Sequence, residues 1–462
     1  MVLAAGKGKR MKSSTPKVLQ PICGRPALWH VLQAVMGARP DRLVVVVGHG
    51  GADVRAAVRS WDLRPEPVFV TQKEQLGTGH AVRVARRAIG DADDVLVLGG
   101  DYDPITDGHV RELLKAHRRS RAAATLLSAE IDDPGGYGRV VREGERLVKI
   151  VEQADATAAE RRITEVVLLA FAFRRDDLFR AVPSLANDNR QREYYLTDLP
   201  SLLLAGGKRV SVVPVDTGGA MGLNSRGGLA AVARVVRDRI NTEHMAHGVT
   251  LIDPDTTYID VGVRIGGDTV IRPSTFLEGD TRIGEGCDIG PNVRAVDSTV
   301  GDRCRVQFAV LEGATMGAGS DAGPFARLRP GAVLGEGVHV GTSVEIKGST
   351  IGRGSKVPHL SYIGDADIGE DVNIGAATVT VNYDGYRKHR TKIEDGASVG
   401  SDTMLVAPVN VGTRAVTGAG SVITKDVPEG ALAVERSEQR IVEGYRDRKD
   451  AEHRTKKPRK GA

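Results

Sequence analysis

The feature that most restricts the fold is a six-residue period in the second half of the chain. Ile265, Ile271, Leu277, Ile283 and Ile289 stand six apart, as do Met316, Ala322, Leu328, Leu334, Val340 and Ile346. After slips of one residue the register resumes at Ile351, Val357 and Ile363, and it runs again through Ile393, Val399, Leu405 and Val411. An aliphatic residue at every sixth position, often followed by glycine, stacks one side chain per face inside a triangular coil. Residues 249–436 are therefore expected to form a left-handed parallel β-helix of hexapeptide repeats, three strands to a coil. The composition agrees: aromatics are only 4% and glycines number 56, which suits short strands of small residues.

At 462 residues the chain is too long for one core. Its first half has a different rhythm, in which apolar runs alternate with helical stretches. Leu43–Val47, Val95–Leu98 and Val210–Val215 read as buried strands, because parallel strands covered on both faces are continuously apolar. Residues 78–89 and 107–119 read as helices between them. Residues 1–224 are thus expected to be a doubly wound α/β domain with ligands at the carboxyl ends of its strands. Residues 225–248 are expected to form a helical arm. The tail, 437–462, is expected to be disordered; its stretch 446–462 holds eight Lys/Arg against three Asp/Glu, which equals the whole net charge of +5. The rest is about neutral, which argues against specific nucleic-acid binding. Cys23, Cys287 and Cys304 are widely spaced and form no CxxC pair, which suits a reducing cytoplasm. No apolar run reaches the roughly 18 residues of a membrane span.

Several local motifs carry chemistry. In Leu3-Ala4-Ala5-Gly6-Lys7-Gly8-Lys9-Arg10-Met11, glycines let backbone N–H groups close around phosphates, with Arg10 and Lys17 to neutralise them. The plain alternative is a strand–turn–helix connection. Gln72–His80 offers amides to a base edge, or is simply a loop. Asp101 closes a strand where a carboxylate could hold a divalent metal on a triphosphate, or could cap the next helix. Asn224 is a turn residue unless the fold brings it to Asp101. In the repeats, Arg329 and Lys347 are eighteen residues apart and should stack coil on coil, an arrangement suited to a phosphate. His359, close to Tyr362 and Asn373, could take a proton from an amine that attacks a thioester. Asn382-Tyr383-Asp384-Gly385 breaks the six-residue register and reads as an extruded loop able to cover a neighbouring subunit's site.

On these motifs, over about residues 1–440, the chain resembles the sugar-nucleotidyltransferase family. More narrowly, it resembles the bacterial bifunctional enzymes that combine uridylyl transfer to N-acetylglucosamine-1-phosphate with acetyl transfer to glucosamine-1-phosphate. The resemblance implies that Leu3, Ala5, Gly6, Gln72, Gly77 and Thr78 cradle UTP, with Arg10 and Lys17 on its phosphates. Asp101 and Asn224 would hold Mg²⁺, and Gly138, Glu152, Tyr195 and Thr197 would line the sugar pocket. It implies His359 as general base, with Arg329, Lys347, Tyr362, Asn373, Asn382 and Tyr383 around glucosamine-1-phosphate. Ala376, Ser401, Ala419 and Arg436 would contact acetyl-CoA. It further implies a homotrimer with shared acetyl sites, in the cytoplasm, supplying UDP-N-acetylglucosamine for cell-wall precursors.

Departures from the family pattern cluster in the first domain. Lys9 replaces a Thr, Gly99-Gly100-Asp101-Tyr102-Asp103-Pro104 replaces aromatic-Gly-Asp-x-Pro-Leu, and Val167-Leu168-Leu169 replaces Asn-Thr-Gly. In the second domain Ala377 stands where the family has Gly. Two other readings follow: an acetyltransferase whose uridylyl transfer is weakened or altered in sugar specificity, and a non-catalytic interaction protein with both folds.

Overall fold

The computed structural model describes residues 1–101, 104–219 and 222–456. Tyr102, Asp103 and the last six residues of the basic tail lie outside the described residues, as does the side chain of Lys9. The chain divides into two compact units. The first comprises Met1–His247 with Asp253–Val263 and Leu277–Gly279; the second comprises Gly248–Ile252, Arg264–Phe276 and the chain from Asp280 onward.

The main path of the first unit's sheet runs Val210–Pro214, Ala124–Glu130, Glu165–Arg174, Asp94–Gly99, Val2–Ala4, Val44–Val47, Val68–Thr71. Val2–Ala4 pairs in parallel with Val44–Val47 on one side and Asp94–Gly99 on the other. All four residues of Val44–Val47 are buried, as a central strand with both faces covered requires. Each such side chain contributes roughly 1.5–3 kcal/mol by leaving water. Helices Thr78–Ile89 and Asp107–Ser120 lie where the periodicity places them.

Two features of the sheet differ from the sequence reading. Glu165–Arg174 runs antiparallel to both of its neighbours on this path, so the sheet is mixed. Val210–Pro214 is an edge strand and only half-buried. A short apolar run carries no mark of direction or of position within a sheet, because both depend on which strand pairs beside it. The helix Arg226–Ala246 starts at Ser225, whose hydroxyl accepts from the Gly228 N–H at 3.1 Å.

The second unit is a parallel β-helix, the coil expected for left-handed hexapeptide repeats. One face runs from Thr250–Leu251 to Leu432–Ala433, another from Arg264–Ile265 to Val409–Val411, and the third ends at Val422–Ile423. Met316, Ala322, Leu328, Leu334, Val340 and Ile346 are all buried. Small polar side chains at a corner close the remaining backbone groups. Ser320 donates to Gly335 O at 2.8 Å and accepts from Val338 N at 3.1 Å. Cys287 and Cys304 hold equivalent positions two and one coils earlier, with their thiols on Gly301 O and Gly317 O, each at 3.1 Å. These cysteines are structural and free. Ala366 pairs with Thr391, which leaves the segment after Asn382 outside the coil as the expected loop. Where the sequence reading expects a disordered tail, Tyr445–Lys456 is a helix with an Arg446–Asp450 ion pair at 3.3 Å.

Leu311 is 1% exposed inside the β-helix and far in sequence from every candidate site residue except Arg329. Leu311→Ala is expected to lower the unfolding free energy by roughly 2–5 kcal/mol, measured by urea denaturation.

Candidate active sites

In the first unit, parallel pairing sets the carboxyl ends of Val2–Ala4 and Asp94–Gly99 side by side. The glycine-rich loop therefore leaves its strand next to Asp101. A cavity of about 480 Å³ opens there, a volume suited to a nucleotide-sized ligand. Leu3, Ala5, Gly6, Arg10, Lys17, Gln72, Gly77, Thr78, Asp101 and Asn224 all line it.

Lys17 organises the cavity's polar end. Its ammonium donates to Asp101 Oδ2 at 2.6 Å and to Asn224 Oδ1 at 2.9 Å, and Arg10 reaches the same Asn224 oxygen at 3.2 Å. Gly8 has a φ of +55°, and a Cβ there would lie 2.7 Å from Lys17 Cβ. Glycine thus both takes the left-handed turn and leaves room for the Lys17 stem. Leu223 N–H donates to Asp101 O at 3.2 Å, which ties the two expected metal ligands together through backbone. The surrounding walls push the Asp101 carboxyl up, but the Lys17 charge and hydrogen bond, with help from its own backbone and Arg10, outweigh them and hold it below the usual carboxylate range. This ion pair stabilises the fold above that range and is lost as acid protonates Asp101.

Asp101 and Asn224 present two hard oxygen donors. Among the described residues no group of three His, Cys, Asp or Glu side chains could hold a metal. A two-oxygen site fits a cation such as Mg²⁺, which takes its other ligands from phosphate and water. At the other end, Gln72 is buried, with its amide nitrogen donating to Gly77 O at 3.1 Å. Gly77 has a φ of +101°, and a Cβ on it would lie 2.6 Å from Tyr194 O. The close approach lets Leu196 N–H donate to Thr78 Oγ1 at 2.9 Å. Gln75, Glu193 and Leu169 also line the cavity, without a role assigned to them from the sequence. Gln75 lay inside the Gln72–His80 motif and Leu169 inside the Val167-Leu168-Leu169 departure from the family pattern; Glu193 carried no local signal.

Of the expected sugar-pocket residues, Thr197 donates to Glu152 Oε1 at 2.7 Å, and a Cβ at Gly138 would lie 3.5 Å from the same oxygen. Burial chiefly pushes Glu152 up, against the Thr197 hydrogen bond and with Asp155 and Glu193 adding to it. Tyr195 is buried, and its hydroxyl donates to Asp155 Oδ2 at 3.4 Å.

In the second unit the register decides the geometry. Arg327 pairs with Glu345 and Leu328 with Ile346, so Arg329 and Lys347 follow on adjacent coils, as expected. Arg329 is held by Glu345 Oε1 at 2.8 Å, a partner the sequence did not announce. Lys347 lies 3.9 Å from Asp365 Oδ1, while Asn382 donates to Asp365 Oδ2 at 2.6 Å. Lys388, from the extruded loop, crowds Lys347 and lowers its pKa. Tyr362 lies over Gly364, where a Cβ would be 2.5 Å from its hydroxyl. His359 ends the preceding strand with its ring exposed, and its carbonyl accepts from Ser361 Oγ at 2.8 Å and Ala377 N at 3.2 Å. Asn373 lies on the next coil, paired with Lys356 of the strand that His359 ends.

Ala376, Ser401 and Ala419 form a column on successive coils. Asp402 N–H reaches Ala376 O at 2.7 Å, Gly420 N–H reaches Ser401 O at 2.8 Å, and Arg436 reaches Ala419 O at 3.1 Å. Tyr383 is exposed, with its hydroxyl on Gly385 O at 2.6 Å. Asp384 staples the loop, accepting from Arg387 N at 2.6 Å, Tyr386 N at 2.7 Å and His389 Nε2 at 2.8 Å. These contacts, the Arg387 amide foremost, pull its carboxyl down to about 2.

Residues 1–196 match the family model of the MobA-like NTP transferase domain, and residues 254–359 match the GMPPB C-terminal domain. A nucleotidyltransferase fold and a β-helix, each with its own polar cluster, define a two-site transferase. Bifunctional protein GlmU of Heliobacterium modesticaldum is 48% identical over 452 residues, covering 97% of this chain and 98% of the relative. That of Streptomyces avermitilis is 48% identical over 454 residues, covering 97% and 94%, and that of Caldanaerobacter subterraneus is 46% identical over 460 residues, covering 99% and 98%. The chain belongs to the family of bifunctional GlmU proteins, which unite acetyltransferase and uridylyltransferase activities.

Two outcomes test this geometry. In Lys17→Met the strongest counterweight to burial is lost, so the Asp101 carboxyl titrates at higher pH than in the wild type, read by carbon NMR. Asp384→Asn weakens the staple, so the Tyr386 and Arg387 amides exchange with deuterium faster. In the wild type this staple persists from neutral pH down through the ordinary carboxylate range and is lost only as pH falls toward 2.

Proposed function

We propose that this chain makes UDP-N-acetylglucosamine in two steps. In the β-helix, the amine of glucosamine-1-phosphate attacks the thioester of acetyl-CoA. His359 removes the amine proton, the C–S bond breaks, and CoA leaves as the thiol. In the first unit, a phosphate oxygen of N-acetylglucosamine-1-phosphate attacks the α-phosphate of UTP, and the bond to pyrophosphate breaks. The observation that carries the reading is that one chain keeps both constellations, the Lys17–Asp101–Asn224 group and the Lys347–Asp365–Asn382 group, with an exposed His359 ending the strand just before Tyr362.

Each residue's part follows from its chemistry. Arg10 and Lys17 neutralise the UTP phosphates, while Leu3, Ala5, Gly6, Gln72, Gly77 and Thr78 seat the nucleotide. Asp101 and Asn224 hold Mg²⁺, which when bound neutralises charge on the transferred phosphate. Gly138, Glu152, Tyr195 and Thr197 seat the sugar. Arg329 and Lys347, with Lys388 from the loop, hold the phosphate of glucosamine-1-phosphate, and Tyr362, Asn373, Asn382 and Tyr383 complete its pocket. The column of Ala376, Ser401, Ala419 and Arg436 follows the extended acetyl-CoA. The exposed His359 ring and the extruded loop suit a homotrimer in which neighbouring copies close each acetyl site. The three free cysteines suit the reducing cytoplasm. Among the described residues no helix is long and apolar enough to cross a membrane.

A paired assay tests the reading. Free thiol is followed with glucosamine-1-phosphate and acetyl-CoA; pyrophosphate is followed with N-acetylglucosamine-1-phosphate, UTP and Mg²⁺. His359→Ala is expected to lose about a hundredfold or more in thiol release while pyrophosphate release stays as in the wild type. Asp101→Asn should show the reverse. Thiol release persisting at full rate in His359→Ala removes that residue as the base.

A further inference from the structure

The Asp365 carboxylate sits at the centre of the β-helix cluster, yet it is not itself among the residues expected to touch substrate. Its backbone already does the structural tying: the Asp365 N–H donates to Lys347 O at 3.0 Å, and its carbonyl accepts from Thr391 N at 3.2 Å. The side chain, 19% exposed, turns both of its oxygens to side chains expected around glucosamine-1-phosphate. Oδ2 accepts from Asn382 Nδ2 at 2.6 Å, and Oδ1 lies 3.9 Å from Lys347 Nζ. Asp384 is the contrast, a staple that commits its carboxylate to two backbone amides and His389 of its own loop.

Two further features fit this position to a carboxylate. Asp365 has a φ of +49°, a left-handed turn that, among residues with side chains, suits Asp and Asn best. On the preceding coil stands Gly348, where a Cβ would lie 3.1 Å from Asp365 Oδ1, so its absence leaves the carboxylate room. An ionised carboxylate only accepts, so the buried Asn382 must turn its NH2 group to Asp365. The amide's Oδ1 is left as the end that can accept from an amine. Without the carboxylate the amide is free to flip and meet the amine donor to donor.

We infer that Asp365 is a positioning residue for acetyl transfer: it fixes the Asn382 amide with its oxygen available to the amine of glucosamine-1-phosphate, next to the Lys347 ammonium that takes the phosphate. The inference rests on the acetyl-transfer reading. Losing a charge-assisted hydrogen bond that sets such an orientation slows the reaction by about ten- to hundredfold.

The test follows thiol release by the full chain with glucosamine-1-phosphate and acetyl-CoA, alongside thermal melting. Asp365→Gly removes the carboxylate while keeping the left-handed turn, and is expected to lower kcat/KM for the sugar phosphate by about ten- to hundredfold. Asp365→Asn presents an uncharged oxygen at the same place and should recover most of that loss. Asp365→Gly combined with Asn382→Ala should lose no more than the larger of the two single losses, because the carboxylate acts through that amide. Asn382→Asp sets two carboxylates face to face. Adding Asp365→Asn to it reverses the hydrogen bond and should restore about fivefold or more, which decides the matter where the glycine variant melts early. Additive losses, a wild-type rate in Asp365→Gly, or a swap that restores nothing overturns the inference while leaving acetyl transfer standing. A wild-type chain that releases no thiol overturns acetyl transfer itself, and the inference with it.

Discussion

The β-helix depends on one constraint: each strand's backbone must hydrogen-bond to the strand one coil on, with an inward side chain small enough to stack on its neighbour. Every other property of the second unit follows. Because the coil-to-coil register is obligatory, a residue's spatial neighbours are its counterparts on adjacent coils, whatever their chemistry. Arg329 is set beside Lys347 in this way, and Ala376, Ser401 and Ala419 form a column for the same reason. The buried Ser, Thr and Cys side chains at the corners answer a second demand of the coil, that its turning backbone keep hydrogen-bond partners away from water.

The first unit is organised differently, around a charge. Lys17 is 10% exposed at its side chain, yet its ammonium bridges a carboxylate and an amide oxygen that lie over a hundred residues apart in sequence. A buried ammonium requires compensating oxygens, and those oxygens are also suited to a divalent cation accompanied by phosphates. The same arrangement that satisfies the chain on its own is therefore prepared for a nucleotide.

Much of this was legible in the sequence, for identifiable reasons. The six-residue period is a direct projection of coil geometry onto the chain, so Ile346 and Leu328 declared their burial before any coordinates. The candidate phosphate segment with Gly6, Gly8, Arg10 and Lys17 was local too, because all four fall in the short stretch 6–17 that follows the first strand. Other features were not local. Nothing in the run around Val210 marks it as an edge strand, and nothing in Glu165–Arg174 marks its reversed direction. Glu345, Asp365 and Lys388 went unassigned because each acts through a partner on another coil or loop. Asn373 was expected close to the coil of His359, and the register sets it beside Lys356 on that strand.

The sequence by itself determined the class of each domain and most of the residues that line the cavity of the first unit. These are properties of period and of short motifs, which survive without knowledge of what packs beside them. Only the tertiary structure decided that Lys17 joins Asp101 to Asn224, that Asp365 gathers Lys347 and Asn382, and that Leu169 reaches the cavity across Gly99. Each of those facts is a distance between segments remote in the chain. Such distances are set by strand order and register, which no local run of residues encodes.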